Sequence, residues 1–428
     1  MLSAGIDSAL EAHQVEIQNN AGELLWKKKI ENNKKGLAEL RAGLEKIKKN
    51  TGDTNVVGIF AEAIGCYFVP FQHHLTRDGY RVVIVNPLEV RSARIMRNLD
   101  KNKDDPTDAS VLASLPWMNV KYRENNSHQR YEISELTRLY QKMQEHETRL
   151  KNYLNSDLVQ IFPEFLQFVK DIDTKTNFAL LERYPTPSKI LEVSEESLVG
   201  FVEKESRGKL GSDFVKKVRE LAENTIGIPD TDGIHEYRIR FFIKRIKETK
   251  EALNEIETEI KRRTENTEEI KMIDAIPGIH RIKAASIYGE IGPIGQFVSA
   301  RKLQGYGSAL PKMIKSGKKE WAGSPTKKAN HYLRYSVSVC ARSVSMHSEE
   351  FRAIYIREKM KGKSDTQAYI VVGNRLLYHV FTILKNKKPY RKRMPQRQHT
   401  HPTISSQRSK NSCGNIKLPP RAPTVTFL

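Results

Sequence analysis

Residues 2–30 read LSAGIDSALEAHQVEIQNNAGELLWKKKI. Leu2–Asp7 is a short apolar run that reads as a strand. The alternation of Val15 and Ile17 marks a second strand, and Leu24–Ile30 a third. Asn19-Asn20-Ala21-Gly22 joins the last two with turn chemistry, because Asn and Gly accept the left-handed backbone that tight hairpins need. Further on, Leu37, Leu40, Leu44 and Ile47 fall at helical spacing. Two buried-looking strands follow, Val56–Phe60 and Val82–Val85, separated by a helical stretch that ends near Gly79. Asn86-Pro87 stops the last of them.

Three strands, a helix, a strand, a helix and a strand is the order of a ribonuclease-H-like sheet, so residues 1–115 read as one α/β domain. Residues 116–270 are predominantly helical. One helix is expected from about Tyr131 to Phe162, where Pro163 ends it. Ile239, Phe242, Ile246, Thr249, Leu253, Ile256 and Ile260 repeat at alternating steps of three and four. That is an a/d seam with one polar position, which fits either a core helix of this domain or a dimerising coiled coil. Residues 271–390 form a second compact, mostly helical unit with a Gly/Lys-rich loop at 305–331. Periodicity disappears after Tyr390, and 391–428 reads as a basic disordered tail.

The 428 residues carry 72 Lys plus Arg and 51 Asp plus Glu, a net charge of +21 with pI about 9.6. No apolar run approaches the roughly 18 residues that span a bilayer. The first residues lack a basic segment followed by an apolar one, so no secretory signal is expected. Cys66, Cys340 and Cys413 are odd in number and far apart, which excludes a disulfide framework and a CxxC-type zinc site. A cytosolic protein attracted to polyanions is expected. The charge is unevenly placed. Residues 271–386 are net +13 and residues 387–428 net +10, while residues 1–270 are net −2. A single-sign field confined to one region points to nucleic-acid binding there.

Three constellations bear chemistry. The first is acidic. Asp7 ends the first strand, and Glu62 lies just past the fourth. Asp105 and Asp108 sit at i, i+3 at the start of a helix, on one face; Pro106 suits a first helical position and Asp105 an N-cap. The first and fourth strands of such a sheet are neighbours, so Asp7 and Glu62 can meet. Converging carboxylates repel unless a hard cation joins them, and Mg²⁺ with oxygen ligands fits. Two such ions can clamp the attacking and leaving oxygens of a phosphodiester.

The second constellation is Ile276-Pro277-Gly278-Ile279, the pattern of a helix-hairpin-helix element, in which Gly278 would let backbone N–H groups approach a phosphate. An ordinary helix stop is the other reading. The third is the cationic loop holding Ser308, Lys315, Ser316, Gly317, Lys318, Lys319, Lys327, Lys328 and Arg334. Residues 301–334 contain nine basic residues and one acidic. A serine beside glycine there could attack phosphorus, with the cations stabilising the transition state. From the residues alone, a loop that only contacts phosphate fits better. The chain has no Walker A loop, HExxH, Rossmann glycine fingerprint or GxSxG.

In order and spacing these motifs resemble the DEDD transposases of IS-one-ten type insertion sequences, relatives of the Piv invertase with a RuvC-like catalytic domain. Gly5-Ile6-Asp7 resembles the family's G-I-D, and Glu62-Ala63-Ile64-Gly65-Cys66-Tyr67 its E-A-T-G-x-Y. Val85-Asn86-Pro87 and Lys103-Asp104-Asp105-Pro106-Thr107-Asp108-Ala109 resemble V-N-P and K-T-D-x-x-D-A. Ile276-Pro277-Gly278-Ile279 resembles I-P-G-I-G with His280 at the last position. Ser299-Ala300-Arg301-Lys302-Leu303, Tyr306-Gly307, Ser316-Gly317 and Asn330-His331-Tyr332-Leu333-Arg334 resemble S-A-R-K-L, Y-A/G, S-G and N-x-x-L-R. The likeness runs from about residue 3 to 390.

The resemblance implies a transposase or site-specific DNA recombinase. Asp7, Glu62, Asp105 and Asp108 would hold Mg²⁺. Ser316 would attack DNA to form a 5′-phosphoserine link, with Ser308 and Ser324 as fallback nucleophiles. It also implies a homo-oligomer, dimer or tetramer, joined by helical segments, and an element-encoded noncoding RNA that selects DNA. Two alternatives stay open: a metal-only resolvase-like nuclease, and a non-catalytic nucleic-acid-binding decayed copy.

Overall fold

The computed structural model describes residues 1–62, 66–85, 87–97, 105–118, 123–124, 128–307, 311–316, 319–325 and 329–391. At Leu88, Arg97, 105–107, 123–124, 128, 311–316 and 319–325 only the backbone is described. The described residues divide into two compact units, 1–137 with 263–391, and 138–262. The divisions between them fall within two long helices.

The first unit opens with β1 (Leu2–Ser8), β2 (Ala12–Asn19), β3 (Leu24–Glu31), α1 (Lys34–Thr51), β4 (Val56–Glu62), α2 (Val69–Arg77) and β5 (Val82–Val85). It continues with α3 (Pro87–Arg97), α4 (Asp105–Ser114) and β6 (Arg123–Glu124). The strand order is β3-β2-β1-β4-β5-β6. The hairpins β1–β2 and β2–β3 are antiparallel, β1–β4 and β4–β5 are parallel, and β6 returns antiparallel. The expected strand order holds in every strand read from the sequence. In the β2–β3 turn Asn19 Oδ1 accepts from the N–H groups of Ala21 and Glu23, and Gly22 takes φ +80°.

Each sheet face buries its own apolar set. Leu2, Ala4, Ile6, Val15, Ile17 and Ile59 pack under Leu37, Leu40 and Leu44 of α1 and Phe71 and Leu75 of α2. On the other face Phe60, Val83 and Val85 pack under Val90 and Ala93 of α3 and Val111 and Leu112 of α4. Burying an aliphatic side chain of this size contributes about 1.5–3 kcal/mol.

The second unit lies along α5 (His128–Ile161), α6 (Pro163–Phe168), α7 (Lys175–Arg183), α8 (Pro187–Leu191), α9 (Glu195–Ser206), α10 (Ser212–Glu223) and α11 (Ile234–Thr264). Pro163 ends α5 as expected and also starts α6, where its fixed φ suits a first helical position. The first half of the seam is core: Ile239 and Ile246, with Ile243, pack among Leu154, Leu158, Phe178 and Val215 of the same unit.

The first unit resumes with α12 (Glu268–Asp274), α13 (Arg281–Ile291), a 3-10 turn (Ile294–Gln296), α14 (Ala300–Gly307), β7 (Pro311–Ser316) and β8 (Lys319–Pro325). Then come α15 (His331–His347), α16 (Glu349–Met360) and α17 (Asp365–Asn386). The beginning of α5 joins this part. Arg130 donates to the carbonyl of Gly292 at 2.6 Å and lies 3.8 Å over the Tyr288 ring, and a Cβ on Gly289 would sit 3.1 Å from the Ser134 backbone. That contact ties the start of α5 to the first unit.

The expected Gly/Lys-rich loop is instead a β-hairpin over most of its length. Met313 pairs with Ala322, Ile314 with Trp321 and Lys315 with Glu320. Its lysines blur the apolar alternation; the Gly-Lys dipeptide at 317–318 between the strands was the available hairpin signal. Among the described residues no helix is long and apolar enough to cross a membrane.

A buried acid ties the last helices together. Glu350 accepts from Arg375 Nη2 at 2.9 Å, His379 Nε2 at 2.9 Å and the Tyr390 hydroxyl at 3.0 Å. Burial pushes its carboxyl up, but these donors outweigh burial and hold it below the ordinary value of 4.5. A depressed carboxyl pKa gives stability that is complete above the unfolded value and is lost as pH falls through the folded one. Thermal melting should therefore lose stability on acidification below about 4.5 in the native chain. That acid-limb loss should be smaller in Glu350→Gln, measured by melting temperature across the acid range.

Candidate active site

The acidic site begins with a glycine. On β1, Gly5 and Asp7 face α4, because side chains alternate along a strand. A Cβ on Gly5 would lie 2.0 Å from the Ala109 carbonyl oxygen and 2.3 Å from the Ala113 nitrogen. Only a residue without a side chain lets α4 lie this close to the strand. Ala109 follows Asp108 directly, so this contact brings the Asp108 turn of α4 onto β1, the strand that carries Asp7.

The parallel register pairs Gly5 with Phe60 and Ile6 with Ala61. Asp7 and Glu62 are the next residues on these adjacent strands, at the same sheet edge and on the same face. Glu62 is 9% exposed and Asp108 1%. Asp105 opens α4 as expected. Its side chain is outside the described residues. Among the described residues no three His, Cys, Asp or Glu side chains form a ready metal cage. The structure thus brings Asp7 and Glu62 together and carries Asp108 to the same strand.

Asp108 has a partner that the sequence did not suggest. Arg94 of α3 forms an ion pair through Nη2 with Asp108 Oδ1. A buried carboxylate is costly unless paired, and a guanidinium meets that need. A second unforeseen contact fixes α4. Buried Gln18 on β2 donates to Ser110 Oγ at 3.1 Å and to Glu16 Oε1 at 2.6 Å. Gln14, Glu16 and Gln18 alternate along β2, on the face toward α4. That polar stripe was the available signal.

The C-terminal candidates divide. Ser316 is the last paired residue of β7, opposite Lys319. Lys315 lies one residue before it and Ser324 on β8. Ser308, Lys318, Lys327 and Lys328 lie outside the described residues. Arg334 is in the first turn of α15, half-buried.

Gly278 has φ +92°, and a Cβ there would meet the Ser343 carbonyl oxygen at 2.8 Å. Close packing against α15 by itself accounts for this glycine. Asn330 likewise has a structural task. It caps α15 by accepting from the Leu333 N–H at 3.0 Å, and its amide donates to Glu290 at 2.7 Å and to the Tyr306 hydroxyl at 2.8 Å. Gly307 lies so close to Leu333 that a Cβ would come within 2.5 Å of it. The motif positions Tyr306, Gly307, Asn330 and Leu333 thus form one knot joining α13, α14 and α15.

Comparison with known proteins places this arrangement. A DEDD transposase family model of the IS110 type matches residues 4–163. A second model, transposase of the IS116/IS110/IS902 family, matches residues 270–356. The chain belongs to the IS110 family of DEDD transposases. Among IS110-family relatives, the insertion element IS110 uncharacterized 43.6 kDa protein of Streptomyces coelicolor is 22% identical over 91% of this chain and 96% of its own. The transposase for insertion sequence element IS1111A of Coxiella burnetii is 24% identical over 33% of this chain and 40% of its own. A solved structure, T. thermophilus RuvC in complex with Holliday junction substrate, is similar at TM-score 0.22 and 13% identity, over 29% of this chain and 99% of that chain.

The packing at Gly5 makes a specific demand on this IS110-family chain. Gly5→Ala should lower stability by about 1–3 kcal/mol through overpacking and displace α4. Gly22→Ala, at φ +80° with open space around it, should cost only about 1–2 kcal/mol of left-handed strain. Urea denaturation of both variants checks the difference, and amide exchange in α4 should rise only in the first.

Proposed function

We propose that this transposase cuts and rejoins DNA through a serine nucleophile, assisted by a divalent cation held at its acidic sheet edge. The observation that carries the reading is the parallel pairing of β1 and β4 up to Ile6 and Ala61, which sets Asp7 and Glu62 as the next residues on adjacent strands, with α4 seated on β1 through Gly5. The donor set is all oxygen, which fits Mg²⁺. Asp7, Glu62, Asp105 and Asp108 would hold the ion, and when bound it supplies positive charge against the oxygens of the reacting phosphodiester.

Ser316 Oγ bonds to phosphorus as the bond to the 3′ oxygen breaks. The serine proton passes to a base or solvent, and the departing 3′ oxygen takes up a proton. A 5′-phosphoserine link remains. Attack by a new 3′ hydroxyl on that phosphorus releases the serine and rejoins the strand. Lys315 and Lys319 flank Ser316 along the hairpin, and with Lys318, Lys327, Lys328 and Arg334 they supply charge for the phosphate backbone. Support comes from family membership and from the basic C-terminal third.

An element-encoded RNA selects the DNA, and the chain acts as an oligomer. Exposed Ile226, Ile228, Ile234, Tyr237 and Phe241 of the second unit support such self-association.

The test uses the full chain, element RNA and labelled junction DNA. A protein–DNA adduct should form, and Ser316→Ala should abolish it. An adduct that persists in that variant moves the role to Ser308 or Ser324. Cleavage without any adduct favours water as nucleophile. Asp7→Asn and Glu62→Gln should each lower strand transfer by roughly a hundredfold or more; unchanged transfer would sink the acidic site.

The tail makes a separate prediction. Residues 391–428 carry eight basic and no acidic residues. Deleting them should weaken nonspecific DNA binding and flatten its salt dependence, measured by titration across ionic strength, while strand transfer at low salt persists.

A further inference from the structure

The acidic edge contains a cation of its own. Arg94 projects from α3 onto Asp108, whose residue is 1% exposed. The arginine side chain is only 16% exposed. Its Nε is buried without a hydrogen-bond partner among the described residues, so the pair is close but incompletely satisfied. Two parallel bonds are the strong arrangement of a guanidinium on a carboxylate. Among the described residues, Arg94 reaches Asp108 through Nη2 and one carboxylate oxygen.

The position of the pair matters as much as its geometry. Asp108 directly precedes Ala109, the residue that rests on Gly5, and Gly5 lies two residues before Asp7 on the same strand face. The guanidinium therefore neutralises an acid at the edge where the metal ligands are assigned. A buried carboxylate at this edge needs a positive partner at every stage.

We infer that Arg94 is a tethered counter-ion: it holds the Asp108 carboxylate in place before a divalent cation binds, and competes with that cation for the carboxylate. The inference rests on the assignment of Asp108 as a metal ligand. Linkage makes the competition reciprocal: bound cation loosens the Arg94 contact by the factor by which Arg94 weakens the cation. Displaced from Asp108, the guanidinium stays at the edge and is free to pair with a DNA phosphate, an acceptor for which its fork is suited.

Mn²⁺ alone, titrated into the full chain and followed by electron paramagnetic resonance, tests this without DNA. Arg94→Met should bind Mn²⁺ more tightly, by at least about fivefold. Its metal-free form should melt lower than the native chain, and Mn²⁺ should close most of that gap. Arg94→Lys keeps the charge but loses the planar fork, so it should fold well and show a smaller gain. If Arg94→Met does not fold, the lysine variant decides alone. Unchanged or weaker Mn²⁺ binding in the folded variants overturns the inference and makes Arg94 a purely structural partner. Asp108→Asn is the separate control. If it leaves Mn²⁺ binding intact, the metal assignment fails. If it weakens binding while the arginine variants show no gain, only the counter-ion role fails.

Discussion

Everything at the acidic edge depends on the close contact between Gly5 and α4. A helix normally stands off a sheet by the length of the side chains between them. Here one strand residue has none, and the Ala109 carbonyl occupies the space where a Cβ would be. That approach fixes the height of α4 over β1, while the Gln18–Ser110 bond fixes its position along β2. Once both are set, the acid at the preceding helical position is directed to the strand that carries Asp7. The glycine of the Gly5-Ile6-Asp7 motif is therefore as necessary to the site as its aspartate, through packing rather than chemistry.

The C-terminal part shows the same economy in another form. Residues of the family-like motifs Tyr306-Gly307 and Asn330-to-Arg334 hold helices together. Asn330 caps α15 and also joins Glu290 and Tyr306, so three helices share one polar residue. A buried polar knot of this kind specifies a single arrangement, because any slip leaves donors unpaired in a low dielectric. Its place in the chain is telling: Asn330 stands five residues after the end of β8. The β7–β8 hairpin thus lies in the chain between Gly307 and Asn330, two members of this knot.

The legible parts of the chain were those in which one physical rule acts locally. Alternation at Val15 and Ile17, Asn-Gly chemistry at 19–22 and helical spacing from Leu37 to Ile47 are short-range signals, and the strand order followed from them. The neighbourhood of Asp7 and Glu62 was legible because parallel strand pairing follows from that order. Arg94 was not, because its partner lies fourteen residues away across a helix connection and any of several basic residues nearby would suit. The β7–β8 hairpin was hidden by its lysines. The division into units was hidden because its boundaries fall inside the continuous helices α5 and α11, where sequence periodicity does not change.

Charge placement links these parts into one thermodynamic system. The near-neutral first 270 residues include buried acids that would repel a DNA backbone, whereas residues 271–428 attract one. A phosphate can approach the acidic edge only if its carboxylates are already neutralised. Arginine and divalent cation are two ways of meeting that condition, and they differ in what they leave over. Arg94 paired with Asp108 spends its charge on the protein. A cation on the same carboxylates would free the guanidinium and add charge of its own, so the edge would become less negative. Cation loading and phosphate binding at this edge must therefore favour one another, since each stabilises the state in which the other binds.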